Sequence, residues 1–415
     1  MSKIDKLIQE LCPAGVATTF LGDLVEVTGG FAFQSSGFNT DGKGLRVIRI
    51  GDVNSDRNRV FWAGDYPHSC LVVAGDLLLS LSGDINITIW SSEPALLNQR
   101  VAKLDPDPSK VLSRYLFHFL RLKLHALASG TSKSVIANLS ISSLKGFPIS
   151  LPPLEVQKEI VSILDKFTQL EAELEAELEA RRTQYEVTRE RLLDFNSDLE
   201  AHPFREMMGE LCPEGVEFRP MGSIGNFVRG QRFVKDDIRS EGQACIHYGE
   251  VYTKYHLEAS SAFSFLEPTQ AARLRKAKPG DVVIAAAGET IEDIGKPVVW
   301  SGSGDVVIHD ALYAFQSPLD PKFVAYFLRT DDFKSQARPL ISSSKISAIS
   351  IANFGKITIP NPPLEVQKEI VTILDKLDAL VNDITIGLPA EIAARRKQYE
   401  YYRNKLLTFK ELDAA

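Results

Sequence analysis

Cysteine is scarce in this sequence, which has four cysteines in 415 residues and no Cys-x-x-Cys pair. Structural zinc sites and disulfide scaffolds depend on closely spaced cysteines, so neither class of protein is expected here. Cys12 and Cys212 occupy equivalent positions of a repeat described below. We interpret both as small buried apolar side chains.

Long hydrophobic runs are also missing. No stretch of about eighteen apolar residues occurs, and the first residues, 1–6, lack the apolar core of a signal peptide. We therefore expect a soluble, cytoplasmic protein that does not associate with a membrane. With 44% hydrophobic and 24% charged residues, the composition is that of a globular protein. The length allows about two to four domains.

Catalytic and cofactor-binding motifs are absent as well. A nucleotide-binding P-loop needs glycines before Lys-Ser or Lys-Thr, whereas Gly295-Lys296-Pro297 places proline where the helix would begin. The sequence at 361–364 is similar to the Asn-Pro-Pro-aromatic motif of adenine methyltransferases but ends in leucine, so we interpret it as a helix start. His309-Asp310 is an isolated pair, interpreted as structural. We predict no catalytic residue, metal site or cofactor on this chain.

Basic charge is not in excess, since the net charge is −7. The distribution is uneven. Residues 151–200 contain 13 acidic and 6 basic residues, whereas residues 1–150 contain 13 acidic and 15 basic residues. The acidic excess is thus confined to one segment, and local basic patches that bind nucleic acid are compatible with the rest of the chain.

The main feature of the sequence is an internal repeat. Residues 152–166 recur at 362–376, an offset of 210, with Thr372 in place of Ser162 as the single difference. Shorter matches link residues 10–16 with 210–216 and residues 180–186 with 394–400. The segments between these matches are only weakly similar. We call the repeated parts of the chain the frame and the two weakly similar segments between them the inserts. The chain therefore consists of a near-identical frame and two divergent inserts.

The two inserts have the mixed pattern of α+β domains that share one fold. Strands are predicted at Leu45–Ile50, Asp76–Leu81, Ile85–Trp90, Asp281–Ala287 and Val298–Trp300. Gly75-Asp76 and Gly280-Asp281 form matching turns before the corresponding strands. Helices are predicted at 2–11, 204–211, 114–121 and 322–329, where the last two align with each other.

A long helical pattern follows each insert. Tandem prolines favour helix starts near 152 and 362, and residues 155–194 contain neither glycine nor proline, which allows about 60 Å of helix. Such a helix needs a partner for its apolar stripe, and the second copy, interrupted at 387–389, supplies one. Tetrapeptide repeats at 170–173 and 174–177 allow the helix length to change in steps of about 6 Å.

The whole chain resembles the sequence-specificity subunit of Type I restriction-modification systems. The resemblance rests on Pro-Pro-Leu-Glu-Val-Gln-Lys-Glu-Ile-Val followed by Ile-Leu-Asp-Lys after each insert. The tetrapeptide repeats and the segment from Gly387 to Tyr399 are similar to the IC subfamily.

This resemblance implies an α+β fold with two tandem pseudo-symmetric target recognition domains and two long helices that form an antiparallel coiled coil. The predicted regions are recognition domain 1 at 1–151, the first spacer helix at 152–200, recognition domain 2 at 201–361 and the second spacer region at 362–415. Each recognition domain is expected to read one half of a bipartite DNA site.

The resemblance further implies a subunit without catalytic activity of its own. Its expected partners are double-stranded DNA, two modification (methyltransferase) subunits and restriction (motor and nuclease) subunits. S-adenosylmethionine and ATP are expected on those partners. The alternative from the residues alone is a coiled-coil scaffold whose α+β domains bind proteins without direct DNA readout.

Candidate DNA-contacting residues come from polar and basic loops of the inserts. Gly29-Gly30 permits close backbone approach, and the nearby Gln34 is suited to adenine in the major groove. The candidates of the first domain are Gln34, Ser35, Lys43, Arg46, Arg57, Asn58, Arg59 and Lys133. Those of the second domain are Arg229, Gln231, Arg232, Lys235 and Lys345. For each of them, an ordinary solvated surface residue is the alternative interpretation.

Overall fold

The computed structural model describes residues 3–54, 59–129, 138–196, 202–343, 347–383 and 385–412. The chain divides into two compact units. Unit 1 comprises Met1–Glu175 and Glu391–Ala415, and unit 2 comprises Ala176–Ala390. Each unit therefore contains one insert, and the predicted spacer regions 152–200 and 362–415 are each divided between the units.

The insert of unit 1 is built from short strands with few helices. The helices that begin in unit 1 are α1 (Lys3–Leu11), α2 (Ile50–Asn54), α3 (Ser113–Ser129), α4 (Ile141–Lys145) and α5 (Leu154–Leu193). Its strands are β1 (Thr18–Phe20), β2 (Val25–Gly29), β3 (Phe38–Asn39), β4 (Leu45–Ile48), β5 (Phe61–Trp62), β6 (Leu71–Val72), β7 (Leu77–Ser80), β8 (Ile87–Ile89), β9 (Ala95–Leu97), β10 (Val101–Pro106) and β11 (Pro148–Ser150). They form sheets of order β2-β10-β7-β8 and β3-β5-β4-β9-β6 and the pair β1-β11.

Unit 2 has a similar plan. The helices that begin in unit 2 are α6 (Arg205–Leu211), α7 (Met221–Ile224), α8 (Tyr248–Thr253), α9 (Pro268–Ala271), α10 (Pro321–Phe327), α11 (Asp331–Ala337), α12 (Ile351–Phe354), α13 (Leu364–Asn382) and α14 (Leu388–Leu406), of which α14 continues into unit 1. Its strands are β12 (Phe218–Pro220), β13 (Asn226–Arg229), β14 (Gln243–Ile246), β15 (Glu258–Ala259), β16 (Ser264–Leu266), β17 (Lys276–Ala277), β18 (Val282–Ala285), β19 (Ala287–Gly288), β20 (Pro297–Trp300), β21 (Val306–Ile308), β22 (Leu312–Gln316), β23 (Ser342–Ser343), β24 (Ser347–Ala348) and β25 (Thr358–Pro360). The main sheets have the orders β13-β22-β18-β20-β15 and β16-β14-β21-β17.

The central strands β7 and β18 are buried on both faces. Leu77 lies in the core that also contains the frame helices, whereas its neighbour Leu78 lies in the core of the other sheet. Val282 and Val283 alternate between two cores of unit 2 in the same way. Successive side chains of a strand point to opposite faces, so double-sided burial explains the continuous apolar runs that predicted these strands.

The predicted Gly-Asp turns are confirmed at the start of both central strands. Gly75 has φ +98° and Gly280 has φ +92°, a left-handed conformation that favours glycine. Their N–H groups donate to the carbonyl oxygens of Trp90 and Trp300 at 2.8 and 2.7 Å. The helix predicted at 322–329 is shorter than expected, because α10 ends at Phe327.

The uninterrupted spacer helix is also confirmed, since α5 is a single helix of 40 residues. Within unit 1 its first part pairs with α14. Phe167 stacks on Tyr402 with ring centroids 5.3 Å apart, and Arg396 forms ion pairs with Glu171 and Glu175. Residue numbers rise along one helix as they fall along the other, so the pair is antiparallel.

In unit 2 the last part of α5 shares a hydrophobic core with α13. The second copy of the frame is broken between α13 and α14, as the sequence predicts. The long helix α5 therefore has a different helical partner in each unit.

Buried polar contacts tie the helix of each insert to its frame. His118 lies 2.8 Å from a carboxylate oxygen of Asp165 through Nε2 and 3.0 Å from the hydroxyl of Tyr399 through Nδ1. In unit 2 the hydroxyl of Tyr326 donates to Asp375 at 2.7 Å. The two carboxylates are repeat-equivalent, so the same frame position anchors both domains.

The four cysteines are free thiols. Cys70 and Cys245 are buried, whereas Cys12 and Cys212 are half-buried and pack against the two main cores. Burial raises the pKa of all four thiols. Among the residues that the structure describes, no helix is long and apolar enough to cross a membrane.

Candidate nucleic-acid interface

Each domain has a glycine loop that packs against the residue after a strand, at equivalent places in the two folds. Gly30 packs so closely against backbone that an added Cβ would lie 2.0 Å from the carbonyl oxygen of Asn98. At Gly230 the same construction would place Cβ 2.1 Å from the carbonyl oxygen of His309. Only glycine fits such a close approach. The two loops therefore make equivalent contacts in the two domains.

Two parallel strands end beside each glycine loop. In unit 1, β4 and β9 are parallel and are followed by Arg49 and Asn98. In unit 2, β14 and β21 are parallel and are followed by His247 and His309. The N–H groups of Asn98 and His309 each donate to the last residue of the neighbouring strand, at 3.1 and 3.2 Å. In open α/β sheets, ligands bind at the carboxyl ends of parallel strands, which makes this the expected binding point.

An open, polar cleft occupies this point in unit 1. It has a volume of about 680 Å³ and includes Ser35, Arg49, Asn98, Gln99 and Arg100 in its lining. Arg49, Gln99 and Arg100 are exposed. Within the described part of the chain, neither arginine of the cleft forms an ion pair with a carboxylate. The cleft therefore contains two guanidinium groups and two side-chain amides, and the guanidinium of Arg100 also donates to the side-chain oxygen of Asn138 at 3.4 Å.

A buried carboxylate positions the residue that follows the first parallel strand in both domains. Asp52 accepts the N–H of Arg49 at 2.8 Å and also binds a guanidinium nitrogen of Arg46 at 2.6 Å. Glu250 accepts the N–H of His247 at 3.0 Å. The backbone geometry of the two sites is therefore equivalent, although the side chains differ.

Unit 2 has an aromatic cluster where unit 1 has its cleft. The rings of His247 and His309 are 4.7 Å apart, and Tyr248 and Phe233 lie within 5.2 Å of His309. Burial is the main cause that lowers the pKa of both histidines, followed for His247 by the neighbouring His309 and opposed at His309 by Asp310. Both imidazoles are therefore uncharged at neutral pH.

The predicted site residues of unit 1 fall in different environments. Gln34 and Ser35 are exposed on the loop that borders the cleft, and Ser35 lines it. Lys43 is exposed and lies 3.9 Å from Asp41 on a turn. Arg46 has a side chain that is only 10% exposed, and its guanidinium lies over the ring of Trp90. The contacts of Arg46 are thus intramolecular.

Arg59 is exposed beside β5 and lines a cavity of about 380 Å³ that also contains part of Arg46. Four further candidates lie outside the described residues, namely Arg57, Asn58, Lys133 and Lys345.

The predicted residues of unit 2 lie around its glycine loop. The guanidinium of Arg229 donates through Nε to the carbonyl oxygen of Asp310 at 3.0 Å. The side-chain oxygen of Gln231 is buried and accepts no hydrogen bond from the described residues. Arg232 and Lys235 are exposed on the segment that follows. The loop is thus anchored at one end and presents cationic side chains at the other.

Sequence reasoning missed the residues that follow the parallel strands, which are Arg49, Asn98, Gln99, Arg100 and His247. It interpreted His309-Asp310 as a structural pair, and Nδ1 of His309 does lie 3.0 Å from a carboxylate oxygen of Asp310. The predicted strand Leu45–Ile50 included Arg49, because apolar residues flank it. Strands β9 and β21 contain three residues each, which is too short for a periodic pattern. The available signal was the position of polar residues directly after buried strands.

A sequence family, the Type I restriction modification DNA specificity domain, matches residues 13–180 and 213–394. The chain is 39% identical over 145 residues to the specificity subunit of the Type I restriction enzyme EcoBI of Escherichia coli, which covers 35% of this chain and 31% of that protein. It is 30% identical over 324 residues to the EcoR124I/EcoR124II specificity subunit of Escherichia coli, covering 73% of this chain and 72% of that protein.

Solved structures show the same fold. An S subunit of a Type I restriction-modification system from M. genitalium covers 94% of this chain and 96% of its own, with a TM-score of 0.53 and 13% identity. A chain from a study of complex assembly and conformational transition of the type I R-M system covers 95% and 97%, with a TM-score of 0.57 and 17% identity.

The tandem frame, the two equivalent sheet domains and their different strand-end side chains define a two-domain recognition protein. The family match covers both inserts and most of the frame. The chain belongs to the Type I restriction-modification DNA specificity family.

Proposed function

We propose that each sheet domain reads one half of a bipartite site on duplex DNA. This proposal rests on one observation. The two domains share the glycine loop, the parallel strand ends and the buried carboxylate, but the side chains at the strand ends differ. A shared backbone with different side chains is what two related but non-identical ligands require. DNA half-sites about one helical turn apart are such ligands.

A footprint on DNA tests this proposal directly. The chain is assembled with the modification subunit of its own system and incubated with duplex DNA that the complex has selected from a randomised pool. We expect two short protected segments separated by an unspecific spacer, with affinity that falls steeply as salt rises because phosphate contacts release counterions. One continuous protected site, or affinity that salt does not change, would contradict the proposal.

The repeated frame supplies two similar surfaces for one kind of partner. Leu11 and Leu211 are repeat-equivalent and remain 43% and 46% exposed. Val187 and Tyr401 are also repeat-equivalent and are 62% and 60% exposed. Each unit thus leaves the same two frame positions uncovered. Exposed apolar groups that recur in this way support docking of one copy of a partner per unit.

The partners in this proposal are two modification subunits, joined by restriction subunits in the complete complex. The chain itself is proposed to be non-catalytic. Methyl transfer from S-adenosylmethionine and the hydrolysis of ATP then occur on those partners, and this chain supplies the DNA sequence to which they are directed. Methyl transfer by the isolated chain would contradict this division of roles.

Partner stoichiometry tests the docking surfaces. Leu11→Glu and Leu211→Glu are each expected to remove one modification subunit, and the double variant to remove both, as measured by native mass spectrometry. Phe20→Glu is the control, because Phe20 is 58% exposed but has proline at the equivalent position of the second half. Loss of partner from the Phe20 variant, or two bound partners in the double variant, would exclude these surfaces.

A further inference from the structure

We infer that the residues directly after the parallel strands, Arg49 and Asn98 in unit 1 and His247 and His309 in unit 2, contact base edges and make the two half-sites different. Arg100 contributes to the same surface in unit 1. This inference rests on the proposed function, because it names the side chains that perform the readout. None of these residues is among the candidate DNA contacts that the sequence predicted, which were chosen from polar and basic loops.

The first step is that these positions are equivalent in the two backbones. The N–H of Gly30 donates to Val101 at 3.0 Å, and the N–H of Val101 donates to Asn98 at 2.9 Å. In unit 2 the same two bonds join Gly230 to Leu312 and Leu312 to His309, both at 2.9 Å. A difference in readout between the domains therefore comes from side chains and not from a different placement of the chain.

The second step is that the backbone around each position is held in place. Asp52, with a side chain that is 0% exposed, fixes the N–H of Arg49, and Glu250 fixes the N–H of His247 at 3.0 Å. Recognition groups need supporting contacts that hold them in the productive geometry. The supporting carboxylate is present in both domains even though the residue that it holds changes from arginine to histidine.

The third step is the chemistry that each domain presents. Arg49 and Arg100 are exposed at the cleft and offer only donors in a planar fork, which matches the N7 and O6 acceptors of guanine in the major groove. Asn98 adds a group suited to adenine. Unit 1 is therefore assigned a half-site that contains guanine.

Unit 2 has two uncharged and largely buried histidines at the corresponding positions, since His247 is 7% exposed and the side chain of His309 is 12% exposed. The Nδ1 atom of His247 accepts the N–H of Gly249 at 3.3 Å, so its Nε2 carries the proton in the neutral ring and is a donor. Gln231, directly after the glycine, has a side-chain oxygen that accepts no hydrogen bond from the described residues. At its strand ends this domain therefore offers neutral histidines in place of the arginine of unit 1, and its exposed guanidinium is on the loop, at Arg232 directly after Gln231.

Charge-conserving substitutions distinguish base reading from phosphate attraction. Arg49→Lys and Arg100→Lys keep the positive charge but lose the planar fork. The full chain, assembled with its modification subunit, is used to select sequences from randomised DNA. We expect each variant to lose about 10- to 100-fold of the preference for a guanine in one half-site, with the other half-site and the salt dependence unchanged.

His247→Asn and His309→Asn are the matched variants in unit 2, and they are expected to relax the other half-site only. Lys43→Gln is the control outside the cleft, expected to weaken binding to all sequences equally. Melting temperatures within a few degrees of the parent chain show that each variant is folded.

Three outcomes of this selection would each contradict a different statement. If the parent complex selects a bipartite motif but the arginine and histidine variants select the same motif unchanged, these positions do not read bases. If the histidine and arginine variants change the same half-site, the assignment of one half-site per domain is wrong. If the parent complex selects no bipartite motif, the proposed function itself fails.

Discussion

At the scale of single residues, the repeated frame contains one buried glutamine per copy. The side-chain oxygen of Gln157 accepts the N–H of Leu112 at 2.9 Å, and its nitrogen donates to Pro152 at 2.8 Å. Gln367 makes the same pair of contacts with Asp320 and Pro362, at 2.8 and 2.7 Å. These glutamines are 0% and 1% exposed. Each one therefore links the start of a frame helix to the segment that precedes the domain helix.

Replacing Gln157 or Gln367 with leucine is expected to destabilise the protein by about 2–4 kcal/mol, because buried groups on both sides lose their partners. Denaturant unfolding of the two variants measures this cost. Gln169→Leu is the control, since Gln169 is exposed and its hydrogen-bond partner among the described residues is Glu173 of the same helix. Similar stability of all three variants would show that the buried contacts contribute little.

Asp52 is the second residue with a testable structural role. Asp52→Ala leaves the buried guanidinium of Arg46 without this carboxylate and frees the N–H of Arg49. Loss of one partner of a buried ion pair costs about 3–5 kcal/mol, and the free energy of unfolding should fall by that amount. Asp41→Ala is the comparison, because its ion pair with Lys43 is exposed and contributes about 0–1 kcal/mol. An equal effect of both substitutions would contradict this role of Asp52.

At the scale of elements, the tetrapeptide repeats lie where α5 pairs with α14. Arg396 binds both Glu171 and Glu175, which occupy the same position in successive tetrapeptides. Four residues turn about 400° in an α-helix, so a shift by one tetrapeptide nearly restores the face of the helix. The pairing can therefore accept a helix that is one tetrapeptide shorter.

Deleting residues 171–174 is expected to shorten α5 by about 6 Å and to bring Glu175 and Glu179 to the places of Glu171 and Glu175 opposite Arg396. The preferred spacer between the half-sites should contract by about one or two base pairs at about 3.4 Å per step, with unchanged half-site sequences. Methylome sequencing of a host with the altered system measures the spacer.

Arg396→Gln is the matched control for this deletion. It removes both ion pairs of Arg396 without a change of helix length, so the spacer should stay the same. Altered half-site sequences in the deletion variant, or an altered spacer in the Arg396 variant, would show that helix length does not set the spacing.

At the scale of the whole molecule, four of the seven histidines have a lowered pKa. Burial is the largest cause that lowers the pKa of His118, His202, His247 and His309 below the ordinary value of 6.5. The hydrogen bond from His118 to Asp165 opposes the effect of burial but does not cancel it. These rings are thus distributed over both units.

The lowered values predict a loss of stability in mild acid. Above pH 6.5 both folded and unfolded chains hold neutral histidines, so the full stability is present. As the pH falls through 6.5, the unfolded chain binds protons that the folded chain does not, and the free energy of unfolding decreases until the lowered folded pKa is reached. Denaturant unfolding at pH 7.5 and pH 5.5 measures the difference.

His118→Gln is expected to reduce this pH dependence by up to about 1.4 kcal/mol per pH unit, because one titrating group is removed. His68→Gln is the comparison, since His68 is exposed. Stability that is constant or higher at pH 5.5 would contradict the prediction, as would equal slopes for the parent chain and the His118 variant.

The sequence by itself determined the frame of this protein. The uninterrupted α5, the break between α13 and α14 and the doubly buried strands β7 and β18 follow from local patterns of proline, glycine and apolar residues. Such signals are short-range, so they survive in a single chain without knowledge of its contacts. The resemblance that identified the family rests on the same frame.

Only the tertiary structure decided which side chains meet. Arg46 was predicted at the DNA surface, yet the fold turns it inward to Asp52, while Arg49, three residues further on, is left exposed beside Asn98. Residues 49 and 98 come together because β4 and β9 pair in parallel, a contact between distant parts of the chain. Long-range pairing of this kind leaves no local pattern, so the cleft at these strand ends could not be read from the sequence alone.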